Sequence, residues 1–305
     1  MEIVVLMSTY NGEKYIKEQL NSILAQTYPA HVLIRDDGSK DETVNIIEDY
    51  IAAGADINLI KGQNLGVKGS FFELIKLAPE ADYYSFADQD DVWLEDKLEA
   101  AVTMLQAEEC SKGTNVPLLY CSNTNLVDAD LNLITRENKN PRPSFGNALV
   151  ENICTGCTAV ANRALLGKIK ENVPDPDKII MHDWWLYLIA EAFGKTVFDD
   201  EPHINYRQHG NNEWGAKTSR WAVLKYRLQR LFAEHGQIYR QLEEFEKVTC
   251  KDGCIAQDNS NLIQEVLMSE HSFKGRCMLV SDRCIYRSSK DRDRVYRFAV
   301  MTRKL

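Results

Sequence analysis

Two carboxylates one residue apart are the strongest candidates for chemistry in this chain of 305 residues. Asp88 and Asp90 directly follow a short apolar run, residues 83 to 87, which is typical of a buried strand. Carboxylate oxygens suit a divalent cation, and such a cation can neutralise a pyrophosphate bound beside it. An isolated Asp-x-Asp is more often an acidic surface turn, because Asp favours turns and is easily solvated. The elements that position these residues decide between the two interpretations.

The first 120 residues alternate between short β-rich runs and amphipathic helical patterns. This alternation predicts an α/β fold with a doubly wound sheet, whose ligands bind beyond the carboxyl ends of the strands. Residues 39 to 42, Ser-Lys-Asp-Glu, predict a capping box at the start of the second helix. The predicted strands are residues 3–7, 32–35, 57–61, 83–87 and 118–121.

Three polar segments fall at the predicted carboxyl ends of these strands. Residues 8–12 follow the first strand, residues 36–39 the second, and residues 88–91 the fourth. Because the carboxyl ends of parallel strands meet at one edge of a sheet, the three segments converge on one crevice. Surface solvation alone does not explain that convergence, so the sequence favours a binding site over an acidic turn.

The second half of the chain is less regular. Residues 154–160 predict a strand, residues 181–193 a helix closed by Gly194, and residues 196–198 and 203–206 two last strands. Residues 221–245 predict a long amphipathic helix with Lys225, Arg227 and Arg230 on its polar side. We place a domain limit near Gly215, with an α/β domain over 1–215 and a helical extension over 216–305.

Composition limits the classes of partner and compartment. The net charge of −9 argues against a nucleic-acid partner, although residues 270–305 carry 10 Lys and Arg against 4 Asp and Glu. No apolar run is long enough to cross a bilayer, and the start at Met1 lacks a signal peptide, which predicts a cytoplasmic protein. The eight scattered cysteines predict reduced thiols, and the Cys154 and Cys157 pair is interpreted as packing.

Five motifs together resemble the family-2 glycosyltransferases, which are inverting enzymes with the GT-A fold. The likeness covers about residues 1–210, and residues 182–185 and 206–212 look most like the rhamnosyltransferases that build bacterial cell-wall and surface polysaccharides. The Gln-x-x-Arg-Trp motif and the membrane helices of the processive branch are absent from the sequence, which favours single transfers. The motifs are residues 8–11, 22–28, 36–39, Asn64-x-Gly66 and residues 88–91.

The resemblance implies metal-dependent transfer of L-rhamnose from dTDP-L-rhamnose to a saccharide or lipid-linked acceptor. Two alternatives stay open, a UDP-hexose donor and a non-catalytic module of the same fold that binds a sugar nucleotide or a glycan. In the α/β domain, residues 1–120 would bind the nucleotide sugar and residues 121–215 the acceptor. The basic end of the chain would dock on anionic lipid at the inner face of the membrane, or form a helical cap or oligomer contact.

The resemblance also assigns roles to individual residues. Tyr10 would stack on a pyrimidine and Asp37 would accept its ring N–H, whereas Asp36 would support the loop. The nucleotide-binding residues implied in this way are Thr9, Tyr10, Asn11, Asp37, Gly66, Lys68 and Asp88.

The remaining roles concern the metal and the transfer step. Asp90 would bind Mn²⁺ or Mg²⁺ directly, with Asp88 nearer the ribose and His209 completing the shell. Asp183 matches the general base of the family, and an N-terminal helix cap is the alternative for this residue. Residues implied near the donor and acceptor sugars are Thr155, Gly156, Trp184, Trp185 and Arg207.

Overall fold

A single mixed β-sheet organises the protein. The computed structural model describes residues 1–208, 236–249 and 255–303, and the elements below belong to these ranges. The five strands predicted in the first 121 residues are confirmed. The strands are β1 Ile3–Thr9, β2 His31–Asp36, β3 Ile57–Lys61, β4 Tyr83–Ala87, β5 Val92–Trp93, β6 Leu118–Val127, β7 Leu133–Arg136, β8 Val160–Asn162 and β9 Lys195–Arg207.

The strand order gives the sheet one functional edge. The order is β3-β2-β1-β4-β8-β6-β9-β5, with β7 paired to β6. Strands β1 to β4, β6 and β9 run in the same direction, whereas β5, β7 and β8 are antiparallel to their neighbours. The carboxyl ends of β1, β2, β4 and β9 therefore lie at the same edge, and Thr9 stands opposite Asp36 in register.

Helices cover both faces of the sheet. Alternate residues of β1 point to opposite sides, so that Val4 and Leu6 enter one hydrophobic core while Val5 and Met7 enter the other. The helices are α1 Ile16–Leu24, α2 Thr43–Ala52, α3 Gly66–Leu77, α4 Lys97–Lys112, α5 Phe145–Ala148, α6 Arg163–Glu171, α7 His182–Phe193, α8 Gln237–Thr249, α9 Gln257–His271, α10 Phe273–Ser281 and α11 Lys290–Met301.

The C-terminal helices share a core with the α/β part. The ring of Phe245 on α8 lies 5.4 Å from that of Trp185 and 6.0 Å from that of Phe145. The end of the predicted amphipathic helix is α8, while residues 221–235 and the limit near Gly215 lie outside the described residues. In the part of the chain that the structure describes, no helix has the length and apolarity needed to span a bilayer.

Three local predictions are wrong. Residues 154–159 form a loop with a single 3₁₀ turn at Gly156–Thr158, because the Thr158 hydroxyl and amide both donate to the Thr155 carbonyl oxygen. The two last predicted strands are one long strand, β9, whose pairing with β6 shifts register. The capping box is absent, because the Ser39 hydroxyl donates to Asp36 and the Thr43 amide to Asp41.

Candidate active site

The three polar segments at the sheet edge are bound to one another by hydrogen bonds. The Asn11 amide donates to the Ser39 hydroxyl at 2.8 Å, and the Asn11 side-chain oxygen accepts from the Lys40 amide at 2.9 Å. The Gln89 side chain accepts from the Tyr10 amide at 2.8 Å and donates to its carbonyl oxygen at 3.0 Å. The loops after β1, β2 and β4 therefore form one crevice wall, as the sequence predicts.

Asp36 fixes the shape of the loop after β2. Its carboxylate accepts the Thr9 hydroxyl at 3.1 Å and the Gly38 and Ser39 amides at 3.1 and 2.8 Å. Asp36 and Thr9 are both buried. Asp36 thus supports the loop, and Thr9 contributes its hydroxyl to that support.

Asp37 is held by groups of the protein itself. It is 3% exposed, forms an ion pair with Arg35, and accepts the Leu65 and Gly66 amides at 2.9 Å. Gly66 has a φ of +70°, which favours glycine at the start of α3. Contact between Asp37 and a nucleobase stays a prediction, whereas Tyr10, 43% exposed, presents an accessible aromatic ring.

The acidic loop after β4 contains a cluster that can hold a cation. One ligand atom from each of Asp88, Asp91 and Cys157 lies within 4.8 Å of the others. Asp91 is fully buried; its Oδ1 accepts the Arg207 amide at 3.0 Å, and its Oδ2 has no hydrogen-bond partner among the described residues. Burial, and then the Asp90 and Asp88 carboxylates, raise the pKa of Asp91 well above its usual value. A cation would relieve this repulsion.

The donor set of this cluster fits Mn²⁺ or Mg²⁺ through its carboxylates. The orphaned Oδ2 of Asp91 and the nearby Asp88 carboxylate are hard ligands, whereas burial raises the pKa of the Cys157 thiol and keeps it protonated. Asp90 is outside the three-residue cluster, so direct ligation by Asp90 stays a prediction. His209 lies outside the described residues.

A buried lysine lies beneath the acidic loop. Lys97 is 1% exposed, donates to the Ser85 hydroxyl at 2.9 Å, and places its ammonium 3.5 Å from the centre of the Trp93 ring. Burial lowers the pKa of Lys97 to about 7, and the nearby Asp91 carboxylate opposes that shift. Lys97 therefore places an amine that titrates near neutral pH on the core side of the cluster.

Arg207 is a structural residue, and its predicted contact with a sugar is wrong. The residue is 1% exposed, and its Nε donates to the Asp90 carbonyl oxygen at 2.8 Å. The guanidinium also donates to the Ala129 carbonyl oxygen and to Glu18, and it lies over the Tyr15 ring. These contacts leave it no accessible surface for a substrate.

Asp183 has the environment of a general base. It lies in the first turn of α7 and is 8% exposed. Its Oδ1 accepts the Asn152 side-chain amide at 2.9 Å, and its Oδ2 accepts the Gly156 backbone amide at 3.0 Å. Burial raises the pKa of Asp183 to about 7, whereas these hydrogen bonds lower it. A carboxylate with a pKa near the working pH is suited to accepting a proton.

The alternative role for Asp183, an N-terminal helix cap, holds only in part, because its Oδ1 accepts the Trp184 amide of the first turn at 2.7 Å although Asp183 is not at the cap position. Helix α7 begins at His182, and Met181 occupies the cap position without a side-chain hydrogen bond. The carboxylate of Asp183 also accepts from Asn152 and Gly156, so it joins α7 to the loop before β8. The structure thus brings Asp183 together with the predicted sugar loop, Thr155 and Gly156.

His182 supports this junction from the core side. Its ring stacks on Phe71 with centroids 4.0 Å apart, and neither ring nitrogen has a hydrogen-bond partner among the described residues. Burial lowers the pKa of His182 to about 3, so the ring is neutral. A Cβ at Gly156 would lie 3.0 Å from His182 Nε2 and 3.5 Å from Asp183 Cβ.

Gly156→Ala is therefore expected to lower turnover by about tenfold, because the added methyl displaces the loop that orients Asp183. The measurement is kcat, with thermal melting to follow stability. Gly167→Ala is the matched control, since its Cβ meets nothing within 4 Å and helix propensity favours Ala. Equal loss of activity in both variants would contradict the role of the Gly156 contact.

The predicted stacking on a sugar does not fit the burial of Trp185, whereas that of Trp184 stays a prediction. Trp185 is fully buried and its indole N–H donates to the Asn172 carbonyl oxygen at 3.1 Å. Trp184 is 8% exposed and donates to the Ala148 carbonyl oxygen at 2.7 Å. Both rings belong to the core that anchors α7, and so they position Asp183 indirectly.

Comparison with known proteins agrees with this geometry. The model of the glycosyl transferase family 2 matches residues 4–169. The dTDP-rhamnosyl transferase RfbG of Shigella flexneri is 33% identical over 77% of this chain and 81% of its own length. A putative teichuronic acid biosynthesis glycosyltransferase of Bacillus subtilis, TuaG, is 25% identical over 73% of this chain and 87% of its own.

Solved structures show the fold. S. aureus TarS in complex with UDP-GlcNAc superposes with a TM-score of 0.57 at 16% identity, covering 99% of this chain and 91% of that one. A mannosyltransferase from Pyrobaculum calidifontis in complex with GDP-Man and Mn²⁺ has a TM-score of 0.53 at 15% identity, covering 99% and 85%. The predicted GT-A fold is confirmed. With the family model over more than half of its length, this chain belongs to the family-2 glycosyltransferases.

Proposed function

We propose that this glycosyltransferase transfers a sugar, with inversion, from a nucleoside-diphosphate sugar to a saccharide or lipid-linked saccharide. The proposed donor is dTDP-L-rhamnose, and the transferred sugar is L-rhamnose. The observation that carries the proposal is Asp183, a buried carboxylate with a pKa of about 7 that is oriented by Asn152 and Gly156. The 33% identity to a dTDP-rhamnosyl transferase supports the choice of donor.

The geometry suits a single in-line displacement. Asp183 takes the proton of the acceptor hydroxyl while the hydroxyl oxygen attacks the anomeric carbon of the donor sugar. The bond between that carbon and the diphosphate oxygen breaks on the opposite side. Bound Mn²⁺ or Mg²⁺ at Asp88 and Asp91, with Asp90 and His209 as further predicted ligands, would neutralise the departing diphosphate. Tyr10 and the loops tied to Asn11 would hold the nucleotide.

Two other functions stay open. A UDP-hexose would fit the same proposal, because thymine and uracil present the same ring N–H to a carboxylate. A module that binds a sugar nucleotide or glycan without reacting would need no base. The buried, raised-pKa Asp183 disfavours such a module, because an unused buried carboxylate is a cost to stability.

A donor screen tests the proposal. Wild type and Asp90→Ala are incubated with dTDP-rhamnose and UDP-sugars, with Mg²⁺ or Mn²⁺ or EDTA, and release of nucleoside diphosphate is measured. We expect metal-dependent release by wild type, fastest from dTDP-rhamnose, and a strong loss in Asp90→Ala. Equal turnover by both proteins would remove the metal role of Asp90, and no release from any donor would favour the binding module.

We also propose that the C-terminal helices contact anionic lipid. Phe273 and Phe298 are 64% and 66% exposed, and the same segment is rich in Lys and Arg. Apolar side chains beside basic ones favour an anionic membrane surface. We expect the protein to co-sediment with phosphatidylglycerol vesicles at low salt. Binding is expected to be lost at high salt and with phosphatidylcholine vesicles. Absence of binding to either vesicle would refute the contact.

A further inference from the structure

We propose that a positively charged cavity, formed between the α/β part and helix α8, binds a phosphate group of the acceptor. This inference rests on the proposed function, because it names a chemical feature of the acceptor. The cavity has a volume of about 160 Å³. Its lining residues are Lys68, Asp177, Lys178, Ile179, Ile180, Gln237 and Arg240.

The cavity collects positive charge in a chain that is acidic as a whole. Lys68 donates to the Ile179 carbonyl oxygen at 2.9 Å, and neither Lys68 nor Arg240 forms a salt bridge with a described residue. Lys178 lies 3.4 Å from Glu244, which neutralises part of its charge, and Asp177 contributes one negative charge. Among the described residues, two cations without a salt-bridge partner therefore face one exposed carboxylate.

The end of a helix adds to the attraction. Helix α8 spans Gln237–Thr249, thirteen residues, and Gln237 at its first position lines the cavity. The first amides of a helix have no intrahelical partner, and the helix dipole is positive there. Arg240 stands in the same first turn, and guanidinium groups bind phosphate oxygens in pairs. Together these features match a phosphate better than a neutral sugar.

The position of the cavity points to the acceptor. The wall formed by Ile179 and Ile180 leads directly into His182 and Asp183, the start of the catalytic helix α7. Lys68 belongs to α3, the helix whose Phe71 stacks on His182. The acceptor hydroxyl must approach Asp183, so the cavity lies on the side of α7 from which we propose that a phosphate of the same acceptor binds.

Lys68, which the resemblance assigns to nucleotide binding, lines this cavity, and the size and chemistry of the cavity distinguish it from the metal-bound donor diphosphate. One water needs about 10–15 Å³ of such a cavity, so the cavity admits a group several times larger. The donor diphosphate is expected at the carboxylates of Asp88 and Asp91, where a cation must mediate its binding. The cavity presents its own cations, and phosphate binding there needs no metal.

The test uses inorganic phosphate in EDTA, with line broadening in ³¹P NMR of the full chain as the readout. We expect wild type to bind phosphate in a salt-sensitive way and Arg240→Gln to bind at least about fivefold more weakly. Asp177→Asn is expected to bind more tightly, because it removes the one negative charge of the cavity. Lys76→Gln, an exposed lysine of the same helix α3, is the control and is expected to match wild type.

Further measurements locate the phosphate source and separate this inference from the proposed function. Arg240→Gln is expected to keep its affinity for dTDP with Mn²⁺ and to lose rate at subsaturating acceptor. Unchanged phosphate binding in Arg240→Gln, or a parallel loss of dTDP affinity, would overturn the inference. Binding to phosphatidylglycerol vesicles that depends on Arg240, without binding of inorganic phosphate, would assign the cavity to lipid instead. Phosphate binding without release of nucleoside diphosphate from any donor would contradict only the proposed function.

Discussion

Asp183→Asn is expected to lower the rate of sugar transfer by about 10²- to 10⁴-fold, the usual contribution of a positioned general base. Asn keeps the size of the side chain and an oxygen that can accept from Gly156, but it does not take a proton. We therefore expect the dTDP dissociation constant, measured by calorimetry with Mn²⁺, to stay within about twofold of wild type, since the base faces the acceptor.

The same substitution separates catalysis from folding. Burial raises the pKa of Asp183 above its unfolded value, so the ionised carboxylate costs stability as the pH rises from 4 toward 7. At pH 8 the melting temperature of Asp183→Asn is expected to stay within a few degrees of wild type, because relief of the buried charge offsets the hydrogen bonds from Asn152 and Trp184 that the Asn amide group does not accept. A large fall in melting temperature, with donor binding lost in parallel, would show that Asp183 is structural.

The pH profile of wild type follows from the pKa of Asp183, which is about 7. Below that pH, kcat/KM is expected to fall about tenfold per pH unit, because the protonated carboxyl does not accept a proton. Asn152→Ala is expected to move the profile to higher pH, since the Asn152 hydrogen bond lowers the pKa of Asp183. A flat profile between pH 5 and 8 would contradict the assignment.

Arg207→Ala is expected to destabilise the fold by about 3 kcal/mol, because the Asp90 and Ala129 carbonyl oxygens lose a buried donor and a cavity opens over Tyr15. That loss lowers the melting temperature by roughly 5–10 °C for a protein of this size. Activity is expected to fall as well, since the guanidinium anchors the backbone of the acidic loop at Asp90.

Arg163→Ala is the matched control for Arg207→Ala. Arg163 also donates to a carbonyl oxygen, that of Ala81, and to a carboxylate, that of Asp82, but its side chain is 58% exposed. Water replaces these contacts, so a loss under about 1 kcal/mol is expected. A kinetic defect in Arg207→Ala without any loss of stability would instead support a contact between Arg207 and a sugar.

The parallel part of the sheet was predictable from the sequence. Strands β1 to β4 are continuous apolar runs buried on both faces, and the helices between them have clear apolar stripes. The polar residues that end β1, β2 and β4 converge because strand direction alone determines which edge they reach. Periodicity was therefore sufficient for this half of the fold.

Predictions failed where tertiary contacts override a local pattern. The run from Cys154 to Val160 is apolar and β-branched, yet it becomes a loop because Gly156 must approach Asp183 and His182. Trp184 and Trp185 lie in the first turn of a helix, where aromatic side chains either pack in a core or contact a ligand. Only the packing of α7 on α5 and α6 shows that they are core residues.

The site contains charged residues whose burial no single sequence reveals. Asp91 follows the predicted pair of carboxylates without a distinguishing feature. The pairing of β5 with β9 buries it, and this burial brings its carboxylate close to Asp88 and Cys157. Lys97 lies in a helix with many charges, and nothing in its spacing marks it as buried. The sequence indicates a packing role for Cys157, because its nearness to Asp88 depends on the loop before β8.

Binding of Mn²⁺ tests most directly whether acidic side chains and the donor share one cation. The measurement is a titration of free Mn²⁺ by electron paramagnetic resonance, with and without dTDP, in wild type, Asp88→Asn and the exposed control Asp56→Asn. We predict that dTDP tightens Mn²⁺ binding in wild type and Asp56→Asn, and that Asp88→Asn binds about tenfold or more weakly. Equal Mn²⁺ affinity in Asp88→Asn and wild type, unaffected by dTDP, would contradict the account.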